Sequence, residues 1–402
     1  MSTVSADTPR IAVVGGGIGG LSAGAFLHRA GLEVTVYEQA PELGEVGAGL
    51  VVSPNAIRMI RRLGHMDAFL DKAVALDVGW EFRRWEDGRV LSSEQMTGRC
   101  EDLYGERSYV THRADLVEAL RAAVPEHLVR LGTRCTDITE RGDHYELTFE
   151  GGATAEADVV IGADGIHSIV RGLVTEPSPA EYSGMCAYRT LVPAAQVPEY
   201  FRRPAQTLWI GPHHHLVHYP ISGGDFINIV AFAPADEKVD ESWSATATVD
   251  ELLTEFRGWD SRLIDLISKA GTPGRWALLD RAPLQRWTRG RLTLLGDAAH
   301  PMFPFYAQGA AQSIEDAAAL AQSLADNPTD PESALAHYEA VRKPRTTRLQ
   351  ELSRHRKEIN HLPDGPAQIA RDQALTTSDA LADSAWLYGY DAEREAGQTV
   401  PQ

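Results

Sequence analysis

The stretch from Arg10 to Glu38, RIAVVGGGIGGLSAGAFLHRAGLEVTVYE, constrains the fold more than any other part of the chain. It reads as strand, glycine turn, helix, strand and acid, the order of a dinucleotide-binding βαβ unit. Ile11 to Val14 form a short apolar run suited to a buried parallel strand. Gly15, Gly17 and Gly20 carry the G-x-G-x-x-G spacing, with Ile18 and Gly19 inside it. The first glycine permits the tight turn, the second lets a pyrophosphate approach the backbone, and the third lets helix pack on strand. The helix that follows aims its free N–H groups at the phosphates. Val34, Val36 and Tyr37 make the second strand, which ends at Glu38. A carboxylate there accepts hydrogen bonds from a ribose 2′-hydroxyl and repels a 2′-phosphate, so this site suits FAD or NAD rather than NADP. Glycines alone are weak evidence in a chain with 35 of them. The flanking strand, helix and acid make the reading specific.

A chain of 402 residues is long enough for two domains, or for one domain with a second lobe. Its net charge of −18 disfavours non-specific nucleic-acid binding, which sets Lys and Arg against phosphate. It does not exclude an anionic substrate, because a pocket can be basic within an acidic protein. No apolar run reaches the length of a membrane span, and the N-terminal MSTVSADTPR lacks the apolar core of a signal peptide. The cysteines Cys100, Cys135 and Cys186 have no metal-ligand spacing, so no metal site is expected and a reducing, cytoplasmic setting is.

Residues 1–175 mix glycine turns, helices and strands, as a nucleotide-binding lobe would. Between Ser183 and Pro234 the texture changes to strand-like runs, MCAYRTLV, TLWIG, HHLVHYPI and FINIVAF, which predict an antiparallel sheet. Val249 to Ala270 reads as helix, Arg291 to Gly296 as a buried strand, and Glu315 to Ala325 as helix again. The expected fold is α/β (α+β): a Rossmann-like FAD-binding domain (1–175 and 276–343), interrupted by a β-rich substrate domain (176–275), with a C-terminal helical segment (344–402). A ligand pocket is expected where the lobes meet.

Two further loops follow apolar strands. VVIGADGIHSIVR, Val159 to Arg171, ends its strand in Gly-Ala-Asp-Gly. LTLLGDAAHPMFPFYAQGAAQSIEDAAAL, Leu292 to Leu320, ends its strand in Gly296-Asp297 and opens a helix at Gly309, Ala310 and Ala311. Asp297 at a strand's carboxyl end can accept hydrogen bonds from ribitol or ribose hydroxyls. The small residues 309–311 let a flat ring lie on the backbone, and their N–H groups can stabilise negative charge on it.

Three such signals in this order resemble the single-component (class A) flavoprotein aromatic hydroxylases, from Ile11 to about Ala392. GMCAYRTLVP, HHHLVHYPI, AQGAAQSIEDAA and the tail WLYGYDA bring the chain nearest to the salicylate hydroxylase and 6-hydroxynicotinate 3-monooxygenase branch. The resemblance implies that Asp164 and Gly165 touch FAD and the nicotinamide donor. It also implies that Asp297 binds the ribityl arm and that Arg113, in THRADL, lies near the pyrophosphate. It implies a monooxygenase that uses NADH or NADPH and dioxygen to hydroxylate a small aromatic acid or phenol, through a flavin C4a-hydroperoxide and in some cases with decarboxylation. Alternatives are a related flavin monooxygenase in natural-product tailoring, a flavin-free NAD dehydrogenase and a non-catalytic flavin-binding module. A monomer or homodimer is expected.

On the strand HHHLVHYPI, alternation puts His213, His215, Val217 and Tyr219 on one face. The branch resemblance makes His215 and Tyr219 the catalytic candidates. Four strand residues separate them by roughly 13 Å, so they meet different parts of a pocket. His215 suits a base, and Tyr219 a donor to a substrate oxygen or carboxylate. Arg189 either pairs with a substrate carboxylate or forms a salt bridge within the β-lobe. His300 reads as a loop-orienting hydrogen bond, and Pro301 and Pro304 as shaping the loop before the flavin. Phe305 is apolar where some branch members are polar, which points to a larger or less polar substrate. Glu315 and Asp316, adjacent on one helix, read as structural and as facing different directions.

Overall fold

A computed structural model of the chain describes residues 9–44, 49–176, 180–235 and 246–398. The strand Arg10–Val14 lies inside a six-stranded sheet, and Ile11 to Val14 are all buried. It pairs in parallel with Glu33–Tyr37 on one side and Val159–Gly162 on the other. Leu292–Leu294 continues the parallel run beyond Val159–Gly162. Burial on both faces explains why these strands are continuous apolar runs rather than alternating ones. The helix Ile18–Arg29 covers one face with Leu21, Phe26 and Leu27, and Arg29 at its last turn suits the negative end of the helix dipole.

The second lobe is a seven-stranded sheet in the order Gly274–Asp280, Glu181–Pro193, Phe226–Pro234, His214–Ile221, Ala205–Gly211, Val78–Arg84 and Val90–Gln95. The expected antiparallel sheet is therefore mixed, since Ala205–Gly211 pairs in parallel with Val78–Arg84. The expected first segment, 1–175, thus supplies two strands to the β-lobe. One face of this sheet buries Trp209, Leu216 and Ile229 against the helices Val249–Glu255 and Ser261–Ser268. These are two helices where the sequence suggested one. The other face turns toward the nucleotide-binding lobe and meets Phe303 and Phe305.

The helix Gly309–Asp326 packs on Ile18–Arg29, and Pro331–Asn360 packs on Gly309–Asp326. Pro331–Asn360 runs without a break through Pro344, so 344 marks no boundary. Among the described residues no helix is long and apolar enough to cross a membrane.

Candidate active site

The parallel order places the three glycine loops side by side. They follow Arg10–Val14, Val159–Gly162 and Leu292–Leu294 at the same sheet edge, with Glu38 following the neighbouring strand. Gly15 has φ +106°, and a Cβ there would stand 2.4 Å from the Ala163 carbonyl oxygen. A Cβ on Gly20 would stand 1.8 Å from the Gly15 carbonyl oxygen. Gly17 and Gly309 by contrast face open space. The Glu38 carboxylate accepts from the Gly16 N–H at 2.6 Å and from the Ala40 N–H at 2.8 Å, so it also fixes the turn it faces. Asp164 Oδ2 accepts from the Ile169 N–H at 2.8 Å, while its enclosed Oδ1 has no partner; burial raises its pKa. Gly165, at φ +73°, takes the left-handed turn that follows. Arg113 opens the helix Arg113–Ala122, where burial lowers its pKa and the Asp297 carboxylate opposes that.

Side chains from distant parts of the chain hold these loops. Arg171 donates to the carbonyls of Ala298 and Asp297, each at 2.7 Å, and to that of Ile166 at 2.8 Å, joining the second loop to the third. Asp316 Oδ2 accepts from the Gly296 N–H at 3.1 Å and faces His300 Nε2 at 2.5 Å, the loop-orienting contact expected of His300. Glu315 and Asp316 are structural, as the sequence suggested, but one guanidinium joins them: Arg342 donates to Glu315 at 2.6 Å and to Asp316 at 2.7 Å. Arg345 adds two bonds to Glu315, and Asn55 another. Burial alone would raise the Asp316 pKa, but the charges of His300 and Arg342 outweigh it and hold it at about 2. Sequence reasoning had Arg171 within a motif but no role for it, and had no signal for Arg342 or Arg345.

The β-lobe roofs this edge. His214–Ile221 is a regular strand, so the wide spacing of His215 and Tyr219 stands. His213 is not on it; it sits in the preceding turn with φ 61°. Tyr219 lies opposite Asn228, His215 opposite Phe232, and Val217 opposite Val230, which in turn lies opposite Arg189. Directly opposed residues share a face, so Arg189 joins His215 and Tyr219. No carboxylate reaches it among the described residues: its guanidinium lies 5.4 Å from the Trp276 ring centroid, and its enclosed Nε has no partner. Burial lowers its pKa, Tyr219 opposes this and Arg113 adds to it. Asn228 is fully buried; its Oδ1 accepts from the Gly49 N–H at 2.8 Å, and its Nδ2 has no partner. At the other end of the strand, His215 stacks on Phe232 with ring centroids 4.3 Å apart and meets the edge of Phe305. Its Nδ1 lies 2.6 Å from His361 Nε2. Burial lowers the His215 pKa and keeps it neutral, and burial raises that of Tyr219.

Gly15 and Gly20 leave no room for a Cβ, Gly17 and Gly309 lie open, and Asp164 Oδ1 lacks a donor; an extended dinucleotide fits these features. Together they define a dinucleotide-binding protein whose β-lobe lies over the cofactor edge. Residues 8–353 match the family described as FAD binding domain. Over 392 residues the chain is 42% identical to the 3-amino-4-hydroxybenzoate 2-monooxygenase PtnB3 of Streptomyces platensis, covering 98% of each. It is 34% identical to the salicylate hydroxylase of Pseudomonas putida, covering 97% of this chain and 94% of that one. A solved salicylate hydroxylase substrate complex superposes with a TM-score of 0.82 at 28% identity, covering 98% of both chains. The chain belongs to the FAD-binding-domain family of class A flavoprotein aromatic hydroxylases. It is an FAD-dependent aromatic monooxygenase with NAD(P)H as co-substrate.

Proposed function

We propose that the enzyme hydroxylates an aromatic acid whose carboxylate and phenolic hydroxyl stand at opposite ends of the ring. The observation that carries this is Arg189, a cation set into the chamber face with no carboxylate against it among the described residues. A guanidinium so placed is stabilised by an incoming carboxylate. Tyr219 and the unpartnered Nδ2 of Asn228 are further donors at that end. His215, neutral through burial, is the acceptor at the other. His215 and Tyr219 stand ~13 Å apart along a regular strand, with Arg189 level with Val217 between them, so acceptor and donors meet different parts of the ring. The hydroxylated substrate of the Streptomyces platensis relative, 3-amino-4-hydroxybenzoate, has this arrangement and is the first compound to test.

FAD, held by Gly15, Gly17, Ile18, Gly19, Gly20, Glu38, Arg113, Asp164, Gly165, Asp297 and Gly309 to Ala311, supplies the reduction of dioxygen by NADH or NADPH. The chain's own work is to seat the acid on Arg189, to keep water out with Phe232, Phe303 and Phe305, and to accept the phenolic hydrogen bond at His215. That bond pushes electron density into the ring, which makes the ring the better nucleophile.

The experiment is a panel of hydroxylated aromatic acids, each beside the phenol lacking its carboxylate. NADH and NADPH consumption and product mass are followed. The expected result is substrate-stimulated consumption and a product one oxygen atom heavier for the acids, best where hydroxyl and carboxylate are para. Equal response to acids and carboxylate-free phenols would remove Arg189 from the substrate site.

A further inference from the structure

The contact between His215 and His361 joins parts of the chain 146 residues apart. His361 follows the last residue of the helix Pro331–Asn360. Its Nδ1 lies 2.5 Å from the Lys357 carbonyl oxygen, and its own carbonyl accepts from the His213 N–H at 3.1 Å. A second tie comes from Arg84, which donates to Asp364 at 2.9 Å just beyond. The end of this helix is therefore tied both to the hairpin that carries His215 and to the strand Val78–Arg84 beside it.

The hydrogens along this chain follow from the acceptors. A carbonyl oxygen only accepts, so His361 Nδ1 carries a hydrogen. In a neutral ring Nε2 is then a bare acceptor, and the hydrogen between the two rings belongs to His215 Nδ1. A neutral His215 so protonated has a bare Nε2, since its ring hydrogen-bonds among the described residues through Nδ1. Burial keeps both rings neutral, with His361 at about 4 despite the Lys357 carbonyl, and with His214 and Lys357 adding to the lowering.

We propose that His361 is a positioning residue for the hydroxylation site: from the C-terminal segment it locks His215 in the tautomer whose Nε2 lone pair is free for the substrate hydroxyl. This rests on the reading of His215 as the acceptor for that hydroxyl. If the phenolic proton moves fully, it passes from the substrate oxygen to His215 Nε2, leaving a phenolate and an imidazolium whose Nδ1–H still points at His361 Nε2. His361 then bears part of the positive charge and lowers the cost of forming it. The arrangement repeats, with a second imidazole, the logic by which a third group orients a catalytic histidine.

The test uses FAD-loaded enzyme with 15N-labelled histidine, as wild type, His361→Ala and His361→Gln. Imidazole 15N shifts, assigned with a His215→Gln reference, report the tautomer without any substrate. Coupling, the share of consumed NAD(P)H that appears as hydroxylated product, reports the reaction. Wild-type His215 is expected as the Nδ1–H form. His361→Ala is expected to give mixed tautomers and a coupling at least fivefold lower, with flavin reduction still stimulated by substrate. In His361→Gln the amide oxygen can accept the Nδ1–H, so the tautomer and most of the coupling should return. A His215 that stays Nδ1–H in His361→Ala overturns the proposal, whatever the substrate. So does a glutamine variant that restores the tautomer without restoring coupling. Unchanged coupling in a His215→Ala enzyme would instead sink the role given to His215 under the proposed function, while the tautomer result would stand by itself.

Discussion

Arg171 donates to the carbonyl of Asp297 at 2.7 Å across the gap between the second and third loops. The same side chain reaches the carbonyls of Ile166 and Ala298, so one guanidinium sets the spacing of the two loops proposed to hold FAD. Burial pulls its pKa down to about 10, against the charges of Asp164 and Asp297, which leaves it a cation at neutral pH. Replacing it by Met keeps the volume and removes every bond. Hydrogen bonds to a charged group are worth about 1.5–3 kcal/mol each, so the loss of even one amounts to roughly a ten- to hundredfold weaker hold on FAD. Titrating the apoenzyme of Arg171→Met with FAD and following flavin fluorescence measures it. An unaltered affinity would show that the loops keep their spacing without it.

Gly20→Ala tests the close packing of the first loop. The new methyl would stand 1.8 Å from the Gly15 carbonyl oxygen, inside any permitted contact, and that atom belongs to backbone which cannot swing away. Overpacking of this kind costs about 1–3 kcal/mol. The strain falls on the turn proposed to receive the pyrophosphate, so the variant should purify with little flavin and melt lower. Absorbance near the flavin bands, against protein, gives occupancy directly. Gly17→Ala faces open space in the protein alone, so it should fold normally and lose only FAD affinity.

The contrast between these positions and Arg171 shows what the sequence made readable. Glycine turns, the acid at Glu38 and the strand–loop–helix order are local. Each is set by residues within a few positions of one another, so composition and spacing expose them. The alternation that put His215 and Tyr219 on one face is local too, and it held because the strand is regular. What escaped was long-range. Arg342 meets Asp316 from 26 residues away, Arg171 meets Asp297 from 126, and His361 meets His215 from 146. The seventh strand of the β-lobe sheet, Val90–Gln95, comes from within the nucleotide-binding lobe for the same reason: its pairing is decided in space, not in sequence. For Arg189, likewise, the absence of a protein carboxylate against it among the described residues is visible only in space.

Arg189→Met should separate acid from phenol. With the guanidinium gone, the substrate acid loses a desolvated, hydrogen-bonded charge pair worth about 2–5 kcal/mol, so kcat/KM for the acid should fall by roughly 30-fold to several thousandfold. The carboxylate-free phenol should lose almost nothing. Steady-state kinetics with both compounds, under saturating NADH or NADPH, makes the comparison. A parallel loss for both would mean that Arg189 supports the fold of the sheet rather than the substrate.

Glu94 offers a test of stability alone. It lies buried beside Trp80, whose backbone N–H donates to its Oε2 at 3.3 Å, while its Oε1 is enclosed without a partner. Burial raises its pKa from 4.5 to about 7, and the Trp80 N–H offsets only part of that. In the unfolded chain the same carboxyl ionises near its ordinary value, so between those two values the folded protein binds more protons. Its contribution is therefore fully present below about pH 4.5 and is lost as pH rises through about 7. The full shift corresponds to about 3 kcal/mol, and relaxation of the site reduces it. Glu94→Gln keeps the shape and cannot ionise, so it should leave stability at pH 5 nearly unchanged and raise it at pH 8 by about 1–2 kcal/mol. Urea unfolding of the two proteins at both pH values reads the difference. A glutamine variant that is the less stable of the pair at pH 8 would mean that the ionised carboxylate finds compensation from Arg99 or Arg356, the nearby cations that already favour it.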